Sequence, residues 1–174
     1  PNEFCKQAKD VARAKLNIGF SSGFKTFDYS ESGIKEGKLT LLTGFRGQGK
    51  TTFARQVLIA SAKQGYKSLA WFGESDIEEE NDIFALISAN GAKVDVTDNG
   101  HGRNIFTPND EAVNDFKKDL GNKISFYVKP TDYTGNLFDH MMQALVEQAR
   151  KGVKLFLIDN LMVLTGGAGN SVFS

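Results

Sequence analysis

The run Gly44-Phe45-Arg46-Gly47-Gln48-Gly49-Lys50-Thr51 fits the pattern G-x-x-x-x-G-K-[ST] at every position. Those residue types at that spacing suit the binding of phosphates. Glycines let the backbone turn tightly enough to aim its N–H groups at phosphate oxygens. Lys50 carries positive charge to β- and γ-phosphates, and the Thr51 hydroxyl is a ligand for Mg²⁺. A helix opening at Thr51 adds its N-terminal dipole to the same anion site. The nucleotide-binding set read from this run is Gly44, Arg46, Gly47, Gln48, Gly49, Lys50, Thr51 and Thr52.

Two carboxylates belong with the loop. Asp159 closes the apolar run Val153-Lys154-Leu155-Phe156-Leu157-Ile158. An acid at the carboxyl end of a buried strand helps hold the water shell of Mg²⁺, so Thr51 and Asp159 form the expected metal pair. A loop or helix-cap aspartate is the alternative. Glu74 follows the strand-like run ending in Trp71-Phe72, with Gly73 permitting a close turn. A carboxylate there stands at the same sheet edge and can orient an attacking water, so Lys50 and Glu74 are the expected catalytic residues. Asp76 competes for that role or caps the following helix. The charge run Glu78-Glu79-Glu80 reads as a solvated first turn, favourable to the helix dipole.

These residues need an alternating scaffold to bring them together. Strands are predicted at Leu39–Thr43, Lys67–Phe72, Ile124–Val128 and Val153–Ile158. Helices are predicted at Thr51–Gln64, Ile77–Asn90, Asn109–Leu120 and Asn136–Lys151, from apolar residues spaced by three and four. Ala92–Pro108, with its Gly, Asp and Asn, reads as irregular. Phe4–Leu16 reads as a short helix, followed by the breaker segment Asn17–Gly23. Strands alternating with helices imply an α/β fold: a parallel sheet with helices on both faces. The expected organisation is an N-terminal arm over residues 1–22 and a core over 23–174.

Composition narrows the class. The 174 residues suffice for one domain with a real core. The 21 Lys and Arg balance 21 Asp and Glu, so no overall basic field points to nucleic acid. One cysteine, Cys5, cannot form an internal disulfide, and a reducing cytoplasm is the expected compartment. No apolar run approaches the ~20 residues that span a bilayer. His101 and His140 are isolated, without partners at metal-ligand spacing. The 14 phenylalanines fall mostly at core positions and make no case for a base-stacking platform. The absence of an initiator Met suggests a fragment or processed chain.

The order Gly23-Phe24-Lys25-Thr26-Phe27-Asp28, Gly33-Ile34-Lys35-Glu36-Gly37-Lys38, the phosphate loop, Gly73-Glu74 and Ile158-Asp159-Asn160 resembles the DnaB-type replicative helicases. The nearest branch is that of the phage primase–helicases and Twinkle. The resemblance runs from about Asn17 to Leu164 and is strongest over Gly23–Asp76. It implies a RecA-like phosphate-loop ATPase that uses ATP and Mg²⁺, forms a homohexamer and translocates on single-stranded DNA in replication. Lys50 and Thr51 match the Walker A residues, Glu74 the catalytic glutamate and Asp159 the Walker B aspartate. Phe4–Leu16 is then either an arm on a neighbouring subunit or an element packed on its own core. The sequence stops short of the family's later strands, DNA-binding loops and arginine finger, so this stretch alone is expected to bind nucleotide, hydrolyse it weakly and unwind nothing. Residues 164–174 either open into a DNA-binding loop or form a flexible tail, and the tail is the simpler reading. An ATP-binding recombinase or regulatory module of the RadA or KaiC kind is the alternative to a motor.

Overall fold

The structure is a computed structural model, and it describes residues 19–130 and 134–161. The predicted helix Phe4–Leu16 and the segment 164–174 lie outside the described residues. The elements in chain order are α1 (Lys25–Glu31), α2 (Lys50–Lys63), β1 (Lys67–Phe72), α3 (Ile77–Ser88), β2 (Val94–Asp98), β3 (Asn104–Pro108), α4 (Asp110–Asp119), β4 (Ile124–Phe126), α5 (Leu137–Arg150) and β5 (Val153–Asp159).

A three-stranded parallel sheet, ordered β4-β1-β5, forms the centre. Side chains alternate across it, as the two-residue strand period requires. Ala70 and Phe72 of β1 face Leu58, Ile59 and Ala62 of α2, Phe84 of α3 and Phe116 of α4. Trp71 faces the other way, onto Met141 of α5. Helices therefore cover both faces, and β1 is buried from Ser68 onward. Phe84, fully buried, is the hub of the larger layer, with ring contacts to Phe72, Phe116 and Phe126.

Local chemistry sets the helix starts. Asp76 accepts the Glu79 N–H, Asn109 the Ala112 N–H and Asn136 the Phe138 N–H, each satisfying an otherwise unpaired first-turn donor. Asp76 is thus a helix cap. Asp76→Ala is expected to lower the unfolding free energy by about 1 kcal/mol in a urea melt, without moving the midpoint slope.

Three expectations are corrected. Leu39–Thr43 forms no strand: it runs beside β5 without ladder hydrogen bonds, and Leu39 and Leu41 are 95% and 75% exposed. A chain segment becomes a strand only by pairing its backbone groups, and apolar composition alone does not supply the partner. Ala92–Pro108 is not irregular throughout, because β2 and β3 pair as an antiparallel hairpin, Val94 opposite Pro108 and Asp98 opposite Asn104. Its base is tied to α4 by Lys93, whose ammonium sits between Asp115 and Glu111. Hydrogen bonds from Lys93 to those two carboxylates push its pKa upward. Finally, Glu80 does not lie in a solvated turn with Glu78 and Glu79; it is 1% exposed and paired with Arg55.

The lead-in to the loop braces α2. Phe24 stacks on Phe53 at 4.7 Å between ring centres, and Phe27 meets the same ring edge-on at 5.7 Å. Gln64, just past the other end of α2, exchanges two hydrogen bonds with the backbone of Ser21, at 2.8 and 2.9 Å. Gly23 lies between these contacts with φ +87°, and a Cβ there would come within 3.1 Å of the Ala60 side chain. Both the left-handed backbone and the close approach select glycine. Asp28 closes the segment on itself. Slight burial works to raise its pKa, but hydrogen bonds from Ser21 and Ser22 outweigh that and hold it lowered. No helix among the described residues is long and apolar enough to cross a membrane.

Candidate nucleotide-binding site

The phosphate-loop residues stand together at the carboxyl edge of the sheet. Residues 44–49 form an exposed turn, and Gly49 is the N-terminal flank of α2. Its φ of +80° is a left-handed conformation that a side chain would strain. The first-turn N–H groups of α2 have no side-chain cap at this end. They are the donors an anion would satisfy. The Gln48 side chain accepts the Phe45 N–H at 3.1 Å and so bridges the turn. Gly44, Arg46, Gly47 and Gln48 lie on this exposed rim, and Thr52 is exposed on the first turn of α2.

Lys50 folds its ammonium back over the loop, donating to the Gly44 carbonyl at 3.0 Å and the Phe45 carbonyl at 2.9 Å. These neutral acceptors engage two of its three hydrogens. Phosphate oxygens are stronger acceptors, because their negative charge adds an ion-pair attraction to the ammonium that a neutral carbonyl lacks.

Thr51 and Asp159, 108 positions apart in sequence, meet directly: Thr51 Oγ1 donates to Asp159 Oδ2 at 2.5 Å. The sheet makes this contact possible. Phe72 and Asp159 are register partners at the ends of β1 and β5, and the Gly73 N–H donates to the Asp159 carbonyl at 2.6 Å. Glu74 then leaves β1 beside Asn160, whose Nδ2 donates to Glu74 Oε1 at 2.6 Å. Lys50, Thr51, Glu74 and Asp159 thus share one edge, as their sequence positions predict.

The donor set suits magnesium. One carboxylate and one hydroxyl form a sparse, all-oxygen pair, and Mg²⁺ typically takes one or two protein ligands plus waters and substrate phosphates. Among the described residues no group of three His, Cys, Asp or Glu side chains offers a denser site. His140 is occupied with the Tyr127 hydroxyl, 2.5 Å from its Nδ1. A cleft of ≈ 320 Å³ between the unpaired 39–42 segment and β5 opens onto the same residues: Lys50, Asp159 and Asn160 line one part of it, and apolar side chains such as Leu39, Leu41, Val57, Leu155 and Leu157 line the rest.

Sequence reasoning missed Asn160 as a partner of Glu74, and missed Arg55, Ser75 and Glu80. Nothing local marks Asn160. Arg55 and Glu80 were detectable: Arg55 precedes the buried Leu58, Ile59 and Ala62 by three, four and seven residues, and Glu80 precedes Phe84 by four. A charge on the core face of a helix requires a partner.

Neither curated proteins nor solved structures give a match to this chain. Residues 19–172 match the family described as the DnaB-like helicase C-terminal domain, nearly the whole sequence. That family supplies the ATPase function of replicative helicases on a RecA-like core, which accords with the parallel sheet and its two helical layers. The chain belongs to the DnaB-like helicase C-terminal domain family.

Proposed function

We propose that this chain is the motor domain of a replicative helicase of the phage primase–helicase and Twinkle branch, hydrolysing Mg²⁺–ATP to translocate on single-stranded DNA. The reading includes a homohexameric assembly working in the cytoplasm of a bacterium or phage-infected cell. The observation that carries it is the meeting of Thr51 with Asp159 at 2.5 Å beside a Glu74 held by Asn160. A loop that merely bound phosphate would not need a second carboxylate at the same sheet edge.

Bound Mg²⁺–ATP supplies the phosphoryl group that passes to water. Backbone N–H groups of 47–52 and the Lys50 ammonium hold its phosphates and offset charge that builds on them. The Thr51 hydroxyl, donating its proton to Asp159, keeps its lone pairs for the cation. Glu74 orients the water and accepts its proton at a carboxylate oxygen. The Asn160 amide fixes one of those oxygens and leaves the other for the water.

The test is hydrolysis with and without single-stranded DNA, together with strand displacement on a forked duplex, using the assembled protein. Stimulation of at least tenfold with displacement supports a motor. Hydrolysis indifferent to DNA, without displacement, assigns the chain instead to an ATP-binding recombinase or regulatory module.

A further inference from the structure

The buried pair Arg55–Glu80 has no part in the mechanism above, yet it reaches the loop that carries Glu74. Arg55 Nε donates to Glu80 Oε2 at 2.8 Å and Nη2 to Oε1 at 2.5 Å, with side-chain exposures of 14% and 2%. The guanidinium also lies 5.2 Å from the centre of the Phe72 ring. Glu80 Oε1 accepts a further hydrogen bond from the Ser75 hydroxyl. The pair therefore touches Phe72 on one side of Gly73-Glu74 and Ser75 on the other. From the opposite direction, Asp159 holds the Gly73 N–H and Asn160 holds the Glu74 carboxylate.

Stability alone does not account for such a pair. An apolar pair of similar volume is commonly as stable or more so, because two ions must be desolvated to be buried. What an apolar pair cannot do is accept the Ser75 hydroxyl.

We propose that Arg55, Glu80 and Ser75 are positioning residues that lock the Glu74 loop to the phosphate-loop helix. The device fixes the water-orienting carboxylate relative to Lys50 and Thr51, which start the same helix as Arg55. This rests on the assignment of Glu74 as the residue that activates water. Misplacing a reacting group by about 1 Å can cost ~100-fold in rate.

The test compares Ser75→Ala and the double variant Arg55→Met with Glu80→Leu against the unaltered chain and Glu74→Gln. Ser75→Ala leaves the ion pair whole and cuts only the tether. The double variant replaces both charges with apolar side chains and keeps the helix packing. The readouts are thermal melting, Mg²⁺–ATP affinity, single-turnover hydrolysis and amide hydrogen exchange over residues 73–76. The expected result is unchanged melting and nucleotide affinity, hydrolysis lowered about tenfold in the double variant and severalfold in Ser75→Ala, and faster exchange at 73–76. Glu80→Gln, which keeps an oxygen for Ser75, should retain more of the rate than the double variant. Unchanged hydrolysis in Ser75→Ala and the double variant, with Glu74→Gln impaired, overturns the positioning role and leaves the Glu74 assignment standing. Unchanged hydrolysis in Glu74→Gln overturns that assignment, and the proposal with it. Unchanged exchange at 73–76 in both variants overturns the positioning role whatever the rates.

Discussion

Lys50→Ala is expected to lower Mg²⁺–ATP affinity about 100-fold or more with the fold intact. On the proposed assignment the ammonium would give phosphate charge-assisted hydrogen bonds, each worth about 1.5–3 kcal/mol, and the loop has no second lysine to replace it. Among the described residues its side-chain hydrogen bonds go to the carbonyls of Gly44 and Phe45, which sit in an exposed turn that water can solvate. The thermal midpoint should therefore stay within a few degrees of the parent. Titration with a fluorescent ATP analogue, read beside a melting curve, checks both halves. Retained affinity in a folded variant refutes the loop assignment.

Glu74→Gln gives the second large effect, in turnover and not in binding. The carboxamide is nearly isosteric, and its oxygen can still accept from Asn160 Nδ2, so the side chain stays where it is. What it loses is the ability to take a proton from water. General-base contributions of this kind are worth ~10²–10⁴ in rate. The expected result is unaltered Mg²⁺–ATP affinity with hydrolysis lowered about 100-fold or more, measured with labelled γ-phosphate. A rate within a few-fold of the parent shifts the search to another acceptor. Asp76 is a poor one, since its carboxylate is committed to the Glu79 N–H at 2.8 Å.

The parts of this molecule that were legible in the sequence are those written locally. The phosphate loop is eight consecutive residues, and β1 and β5 are continuous apolar runs because both of their faces are covered. The predicted helix starts Asn109 and Asn136 each fall on the residue that caps its helix. The β2–β3 hairpin was hidden because most of its residues are exposed and the alternation Val94-Asp95-Val96-Thr97 is too short to stand out among the surrounding Gly, Asp and Asn. The segment 39–43 has strand composition, but the ladder that would make it a strand depends on a distant partner and is not in its own residues. Likewise, Asp159 was recognisable from its strand, whereas the hydrogen bond of Asn160 to Glu74 spans 86 positions and follows only from the register of β1 on β5. Glu80 illustrates a different failure: three consecutive glutamates look like one solvated cluster, but the helical turn separates the third from the first two and aims it at Arg55.

The bracing of α2 has a mechanical meaning. The helix has 14 residues, about 21 Å of length, and the segment leading into it grips Phe53 near one end and Gln64 just beyond the other. Tension on the chain at Gly19 is therefore expected to meet contacts at both ends of the rod that begins at Lys50 and Thr51, and not a single hinge. On the motor function proposed above, a helix held at both ends would pass a stroke outward as force with little loss to local flexing.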